Sequence, residues 1–478
     1  MPVYTPATPD KQIVLLRAMD AELDLTRWTS YSFSSNYLTP ADGWSLTIGD
    51  GDLDEAQKEA LRVGMNVRLY VDNYVLADGR IDRIEISADR GRGVTYALHG
   101  RDRLGPVVDS VADPRVQFKT GTTLAEFLKN LLAPYGWTKD DDFTMDASAN
   151  RDAKTGGLRG APLPKRKSKT GKLSTFQLYQ MKPHNHEGLF RFITRTVERF
   201  GLFVRVSADG RTILVTAPDF DQAPLYRLVR KPGENNIRSG TVVYDSADQP
   251  GLLIVDGYSN NAEFGKGRIK AACVNPYFGM SADGTISPPV KEVLDKYPEA
   301  VMVPIVTKRY GRRAPTHPPK PMFLHDEESK TQDQLNWFVK RTMSELLRKS
   351  LVCHYEVEGH GQMVDGVFTP WDVDTVVDVD DEVGGVHEPM YVLGRTFEKS
   401  RGGGTTTKLE LIRLYSIAGY DAEALDKIQE KFEQQTKAKE PAPEEAYEHL
   451  AQSLELISSG KREWKPRDIK TFKRTGRR

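Results

Sequence analysis

The residues with the best claim to chemistry are a few acidic and histidine clusters. Asp50, Asp52 and Asp54 stand at alternate positions, as in the first half of a calcium loop. Such a loop needs glycine at its sixth position and a carboxylate at its twelfth, where this chain has Glu55 and Leu61, so a solvated acidic turn before a helix is the better reading. His184, His186 and Glu187 are metal-ligand types, but two histidines at i, i+2 need further ligands that the sequence does not place. Gly402-Gly403-Gly404 lacks the Lys-Ser/Thr of a phosphate loop and joins two strands. No G-x-S-x-G elbow occurs, and neither Cys273 nor Cys353 stands in a protease-like setting. Asp and Glu total 67, so a carboxylate pair alone signals nothing, although two acids with no fixed signature leave a glycosidase open. The PKRKSK run from Pro164 lacks the interleaved aromatics of a single-strand binder. The sequence therefore assigns no catalytic residue, no metal site and no cofactor.

Composition narrows the classes further. Lys and Arg also total 67 in these 478 residues, so the formal charge is zero. A whole-surface nucleic-acid binder and an acidic disordered chain are both disfavoured. The length favours about three domains. With 28% charged and 38% hydrophobic residues, the surface must be polar in loops, tails or wet interfaces. Two cysteines rule out a disulfide framework, and reduced buried thiols are expected. No signal peptide and no apolar run near the ~20 residues of a spanning helix appears, so no membrane anchor is expected.

These residues need a scaffold, and the periodicity supplies one. Trp44–Ile48, Val67–Val71, Arg80–Ile86 and Val94–Leu98 alternate or are β-branched between Asp and Gly turns, which predicts an antiparallel meander closed into a barrel over residues 1–115. From Thr120 the period becomes helical. Thr122 or Thr123 caps a helix carrying Leu124, Phe127, Leu128, Leu131 and Leu132, ended by Pro134 and Gly136. A polar, mobile loop is expected over 140–172. A second helix carries Leu189, Phe192, Ile193, Val197 and Phe200, and a hairpin turns at Asp209-Gly210. Residues 116–235 thus read as a small α/β domain. Strands return over 236–420 around an irregular Pro-rich insertion, 275–321, and a helix from Ser329 to Lys349. Residues 421–478 form two charged helical stretches around KAKEPAPEE with a basic tail, read as an arm that orders against a neighbouring subunit.

The strand pattern beginning at Val67 recurs from Thr375. Both segments run strand, Asp turn, strand with a Gly-Arg pair (Gly79-Arg80, Gly394-Arg395), Gly-rich turn, strand. Two unrelated meanders would look alike at this identity, but the order of features favours a duplicated barrel.

Taken in order, several segments resemble the baseplate hub proteins of contractile phage tails, the hub of Mu-like phages and the late-control protein family. They are Gly43–Ile48, Gly64, the V-x-L-Y-V-D strand, Gly79–Asp82, Gly100-Arg101-Asp102 leading to Val108-Asp109-Ser110, the helix at Thr122–Tyr135, Glu187–Phe190, Gly201–Phe203, Asn235–Ile237 and Trp371 before its V-x-V-x-D strand. The likeness spans about Leu15 to Ile417. It does not extend to the 140–172 loop, the 275–321 insertion or the C-terminal extension.

The resemblance implies a mainly β fold with two tail-tube-like antiparallel barrels flanking the α/β domain. It implies a non-catalytic homotrimeric ring that adapts a six-fold tail tube to a three-fold spike. Expected partners are the tube or tube-initiator protein, the central spike and baseplate wedge proteins, with no specific nucleic acid. The expected location is the virion tail baseplate, after assembly in the host cytoplasm. The alternative is a hub that also carries a peptidoglycan hydrolase.

Overall fold

The computed structural model describes residues 4–417 except 7–13, 21–22, 73, 92, 120–121, 145–180, 199–201, 217, 219, 221, 260–266, 282–284, 304–319, 328, 330–331, 401–403 and 415. The 421–478 extension, the PKRKSK run and most of the 140–172 loop therefore lie outside the described residues. Among the described residues no helix is long and apolar enough to cross a membrane.

After β1 (Tyr4–Pro6), the chain forms β2 (Val14–Ala18), β3 (Leu23–Leu25), β4 (Ser30–Asn36), β5 (Gly43–Gly49), the short α1 (Glu55–Ala60), β6 (Asn66–Val71), β7 (Tyr74–Asp89) and β8 (Gly93–Asp102). Alternation makes these strands. In β5, Trp44, Leu46 and Ile48 point into the core while Ser45 and Thr47 point out. A middle segment follows with α2 (Gly105–Asp109), α3 (Leu124–Leu132), β9 (Phe143–Thr144), α4 (Leu189–Val197), β10 (Phe203–Val206) and β11 (Ile213–Thr216). Thr123 caps α3 as expected, through a capping box in which Thr123 Oγ1 accepts from Glu126 N–H and Glu126 accepts from Thr123 N–H. Phe127 makes edge contacts with Phe118 and Phe192, at 4.8 and 5.4 Å between ring centroids, which locks α3 on α4. Gly210, at φ 70°, turns the β10–β11 hairpin.

The last segment runs β12 (Tyr226–Lys231), β13 (Glu234–Asn235), β14 (Ser239–Tyr244), β15 (Leu252–Ser259), β16 (Gly267–Val274), α5 (Pro288–Leu294), β17 (Val301–Met302), β18 (Pro321–Asp326), α6 (Gln332–Arg348), β19 (Leu351–Glu358), β20 (Gly361–Val364), β21 (Val367–Pro370), β22 (Thr375–Asp381), β23 (Val386–Ser400) and β24 (Gly404–Arg413). The Pro-rich stretch is not wholly irregular. It contributes α5 and β17 to a four-stranded sheet, β17-β16-β15-β18, that the chain builds between β14 and β19. One face of that sheet packs Leu253, Val255 and Cys273 under Leu335, Val339 and Met343 of α6. The other packs Leu252, Ile254 and Ala272 under Val290 of α5.

The fold is mainly β around one 14-stranded sheet, and that sheet is two copies of one seven-strand order. The first is β4-β5-β8-β7-β6-β2-β3, and the second is β14-β19-β24-β23-β22-β12-β13. Corresponding strands also follow one another in the same order along the chain. One ladder differs in sense, since β2 lies antiparallel to β6 while β12 lies parallel to β22. Closure of either set into a barrel is not detected among the described residues; the two sets instead join through β4 and β23.

The ladder registers correct one detail of the internal comparison. The β7–β8 hairpin closes on Asp89↔Gly93 and has a bulge between Ile81 and Arg83. The β23–β24 hairpin closes on Ser400↔Gly404 and has its bulge between Val392 and Gly394. Counting from turn or bulge, Gly394 therefore corresponds to Arg83, and Gly79-Arg80 to Met390-Tyr391. The two Gly-Arg pairs are not equivalent positions.

Candidate functional site, the seam between the two strand sets

The residues first singled out for chemistry do structural work. Asp54 accepts from Gln57 N–H as the cap of α1, and Asp50 pairs with Lys58 Nζ at 2.8 Å. Glu187 is buried, accepts from His184 N–H at 2.8 Å and pairs with Arg195 at 2.9 Å. Gly404 opens β24, while Gly402 and Gly403 lie outside the described residues. Cys273 and Cys353 are free and fully buried, and burial pushes both thiols up to about 12.

The structure instead concentrates unusual geometry where β4 lies on β23. β23 is long enough to use one edge twice. Its first half, up to Val392, pairs with β22, and beyond the bulge Gly394–Ser400 pairs with Asn36–Ser30 of β4. At the bulge the chains approach closely, since a Cβ on Gly394 would stand 2.8 Å from Asn36 Nδ2. Asn36 donates to Glu410 at 3.2 Å, and Tyr37 N–H continues the ladder to Leu393 O at 2.8 Å. Phe33 and Phe397, both fully buried, face each other across the seam. The Arg395 guanidinium stacks on both rings, at 5.6 and 4.9 Å, and pairs with Asp372 at 3.2 Å.

His360 closes the buried side of the seam. It stacks on Phe397 at 4.5 Å and contacts the Tyr31 hydroxyl through Nε2. Thr407 Oγ1 donates to Gly359 O at 2.6 Å, so it accepts from His360 Nδ1–H, and Nε2 is left to accept from Tyr31 O–H. Burial, with Lys399 and Arg395 nearby, pushes the imidazole down to about 3, so it is neutral.

Beside the seam, buried and partly buried charges tie the first strand set to the second and to β10 of the middle segment. Asp102, at the end of β8, accepts from Asp42 N–H at 2.9 Å and Leu104 N–H at 2.8 Å. Burial pushes the Asp42 carboxyl up to about 6, and burial together with Asp42 pushes Asp102 up to about 7. Arg205 of β10 pairs with Asp374 at 3.0 Å and lies 4.5 Å over Tyr37, while Tyr391 O–H donates to Asp374 at 2.7 Å. Tyr37, Phe203, Phe220, Tyr391 and Leu393 form the apolar cluster under these charges. Such an arrangement fixes the relative placement of three chain segments.

Sequence reading did not find the seam, because no local signal says which distant edge a strand will meet. The one available clue was the excess length of β7 and β23 over their partners β6 and β22.

No family model matches the chain, and no curated protein matches it by sequence. Solved structures do. A tail protein from Neisseria meningitidis superposes with a TM-score of 0.61 at 19% identity, covering 86% of this chain and 99% of that one. The 43 kDa tail protein of prophage MuSo2 from Shewanella oneidensis gives 0.59 at 16% identity, covering 85% and 99%. The chain has the fold of these tail proteins over nearly their whole length.

Proposed function

We propose that this protein is a structural baseplate hub of a contractile phage tail or a phage-derived injection machine. Three copies form a ring that adapts a six-fold tail tube to a three-fold spike. The observation that carries this reading is the duplication: each chain holds two seven-strand units joined head to tail at the β4–β23 seam. A head-to-tail contact repeated between copies closes into a ring, and three chains then present six similar units to a tube and three chains to a spike. The shared fold with tail proteins supports it.

The outward face of the seam suits the wall of a wet bore. Ser34, Thr396, Lys408, Glu356 and Ser239 form one cross-strand row, and in the next Ser32, Glu398 and Glu358 flank the buried Thr406. Polar rows of this kind keep this stretch of the face from presenting an apolar surface to aggregate.

Its partners are another two copies, a tube or tube-initiator protein, the central spike and baseplate wedge proteins, within the virion after assembly in the host cytoplasm. The residues after Tyr420 serve as the arm that anchors the hub in the assembly. The hub acts without catalysis. Mixing the purified chain with tube and spike proteins of the same particle and imaging the product tests this. A ring seated between tube and spike is expected; binding to neither contradicts it, and clearing of peptidoglycan in a zymogram would replace it with the hub-hydrolase reading.

A further inference from the structure

The two strand sets have equivalent edges, but only one pair of those edges is joined within the chain. β4, the outer strand of the first set, lies on β23 of the second with Ser30↔Ser400, Phe33↔Phe397 and Asn36↔Gly394. The strand equivalent to β23 is β7, and the strand equivalent to β4 is β14. Among the described residues no strand pairs with β7 beyond Arg80 on the side away from β8, nor with β14 on the side away from β19. Long open edges of this sort are templates for another chain.

The registers fix what would meet. Phe33 stands opposite Trp44 and Trp44 opposite Gly100. In the second set, Val242 stands opposite Cys353 and Cys353 opposite Leu411. Leu411 and Gly100 hold equivalent places in their hairpins, so Val242 is the counterpart of Phe33. By the same count Ile86 is the counterpart of Phe397. Ile86 is 64% exposed, an apolar side chain on the core-facing side of its strand. Val242 sits at the rim of the main core, only partly covered.

We infer that β14 of one copy adds to the edge of β7 in the next copy in the register of the internal seam, with Val242 covering Ile86 and Thr241 opposite Ser87. This rests on the ring reading above and names the contact that makes the ring. The seam inside the chain and the contact between chains are then two versions of one interface, and the open edges of β7 and β14 are both used.

Cysteine pairing tests it on the whole chain. Thr241→Cys and Ser87→Cys are made in separate chains, mixed and oxidised; both sites are exposed, and Cys273 and Cys353 are buried too deeply to compete. The expected product is an inter-chain disulfide, absent when Thr241→Cys is mixed with Glu85→Cys, because the pair must stand directly opposite. Ile86→Lys should weaken association at least tenfold with the fold intact. A trimer by light scattering that gives no 241–87 link, or links better in the 85 register, overturns this contact and leaves the ring. A chain that stays monomeric and unlinked at all concentrations overturns both.

Discussion

Phe33 and Phe397 lie opposite each other across the β4–β23 ladder, 364 positions apart in a chain that brings their ring centroids to 6.1 Å, with no side-chain surface left in water. This pair is the centre of the joint between the repeated strand sets. Replacing either by Ala should cost about 3–5 kcal/mol, the range for emptying a buried aromatic site. The double variant should cost less than the sum, because neighbours in one cluster couple. Urea unfolding of the four proteins measures this; additive losses would mean that the seam is not a packed unit.

A second prediction concerns the Arg230–Asp381 pair beneath β12. Asp381 is fully buried, and burial opposes its charge. Yet Arg230 at 2.6 Å, Gly384 N–H and the Tyr355 hydroxyl hold its carboxyl below the usual range. Arg230→Met removes the partner and leaves the charge, so a loss of about 3–5 kcal/mol is expected. Arg230→Met with Asp381→Asn should recover part of that loss in thermal melts. No recovery would show that Arg230 acts through packing instead.

The two raised acids beside the seam predict a dependence on pH. Asp42 and Asp102 are raised to about 6 and about 7, against ~3.9 in an unfolded chain. The folded protein therefore binds more protons, and the stability linked to these groups is full below about pH 4 and lost as pH rises through 6–7. His360, lowered to about 3, works the other way, but its effect is complete once pH passes its unfolded value of ~6.5. Between about pH 6.5 and 8 the wild type should lose stability relative to Asp102→Asn. Equal slopes for the two proteins in that window would contradict the assignment.

Much of the local structure was legible in the sequence because local physics decides it. The Thr123 capping box, the apolar stripes of α3 and α4, the hairpin turn at Gly210 and the alternation of β5, β6 and β19 follow from the residues that make them. The pairing order did not follow, since β4 and β23 meet across most of the chain and nothing in either strand names the other. The misplaced Gly-Arg correspondence has the same origin. The two bulges, at 81/83 and 392/394, stand at equivalent places, and the recurring dipeptide falls four residues apart when the hairpin turns are aligned, a displacement that the dipeptides themselves do not report. The acid pair was invisible because Asp42 and Asp102 are ordinary loop and strand-end residues until burial changes them.

The central claim is that three of these chains close into a ring. Light scattering coupled to size exclusion, on the purified chain over a range of concentrations, tests it most directly. The account predicts a species of three times the 53.7 kDa chain mass, in exchange with monomer at low concentration. A stable dimer, or a hexamer formed without partners, would contradict it.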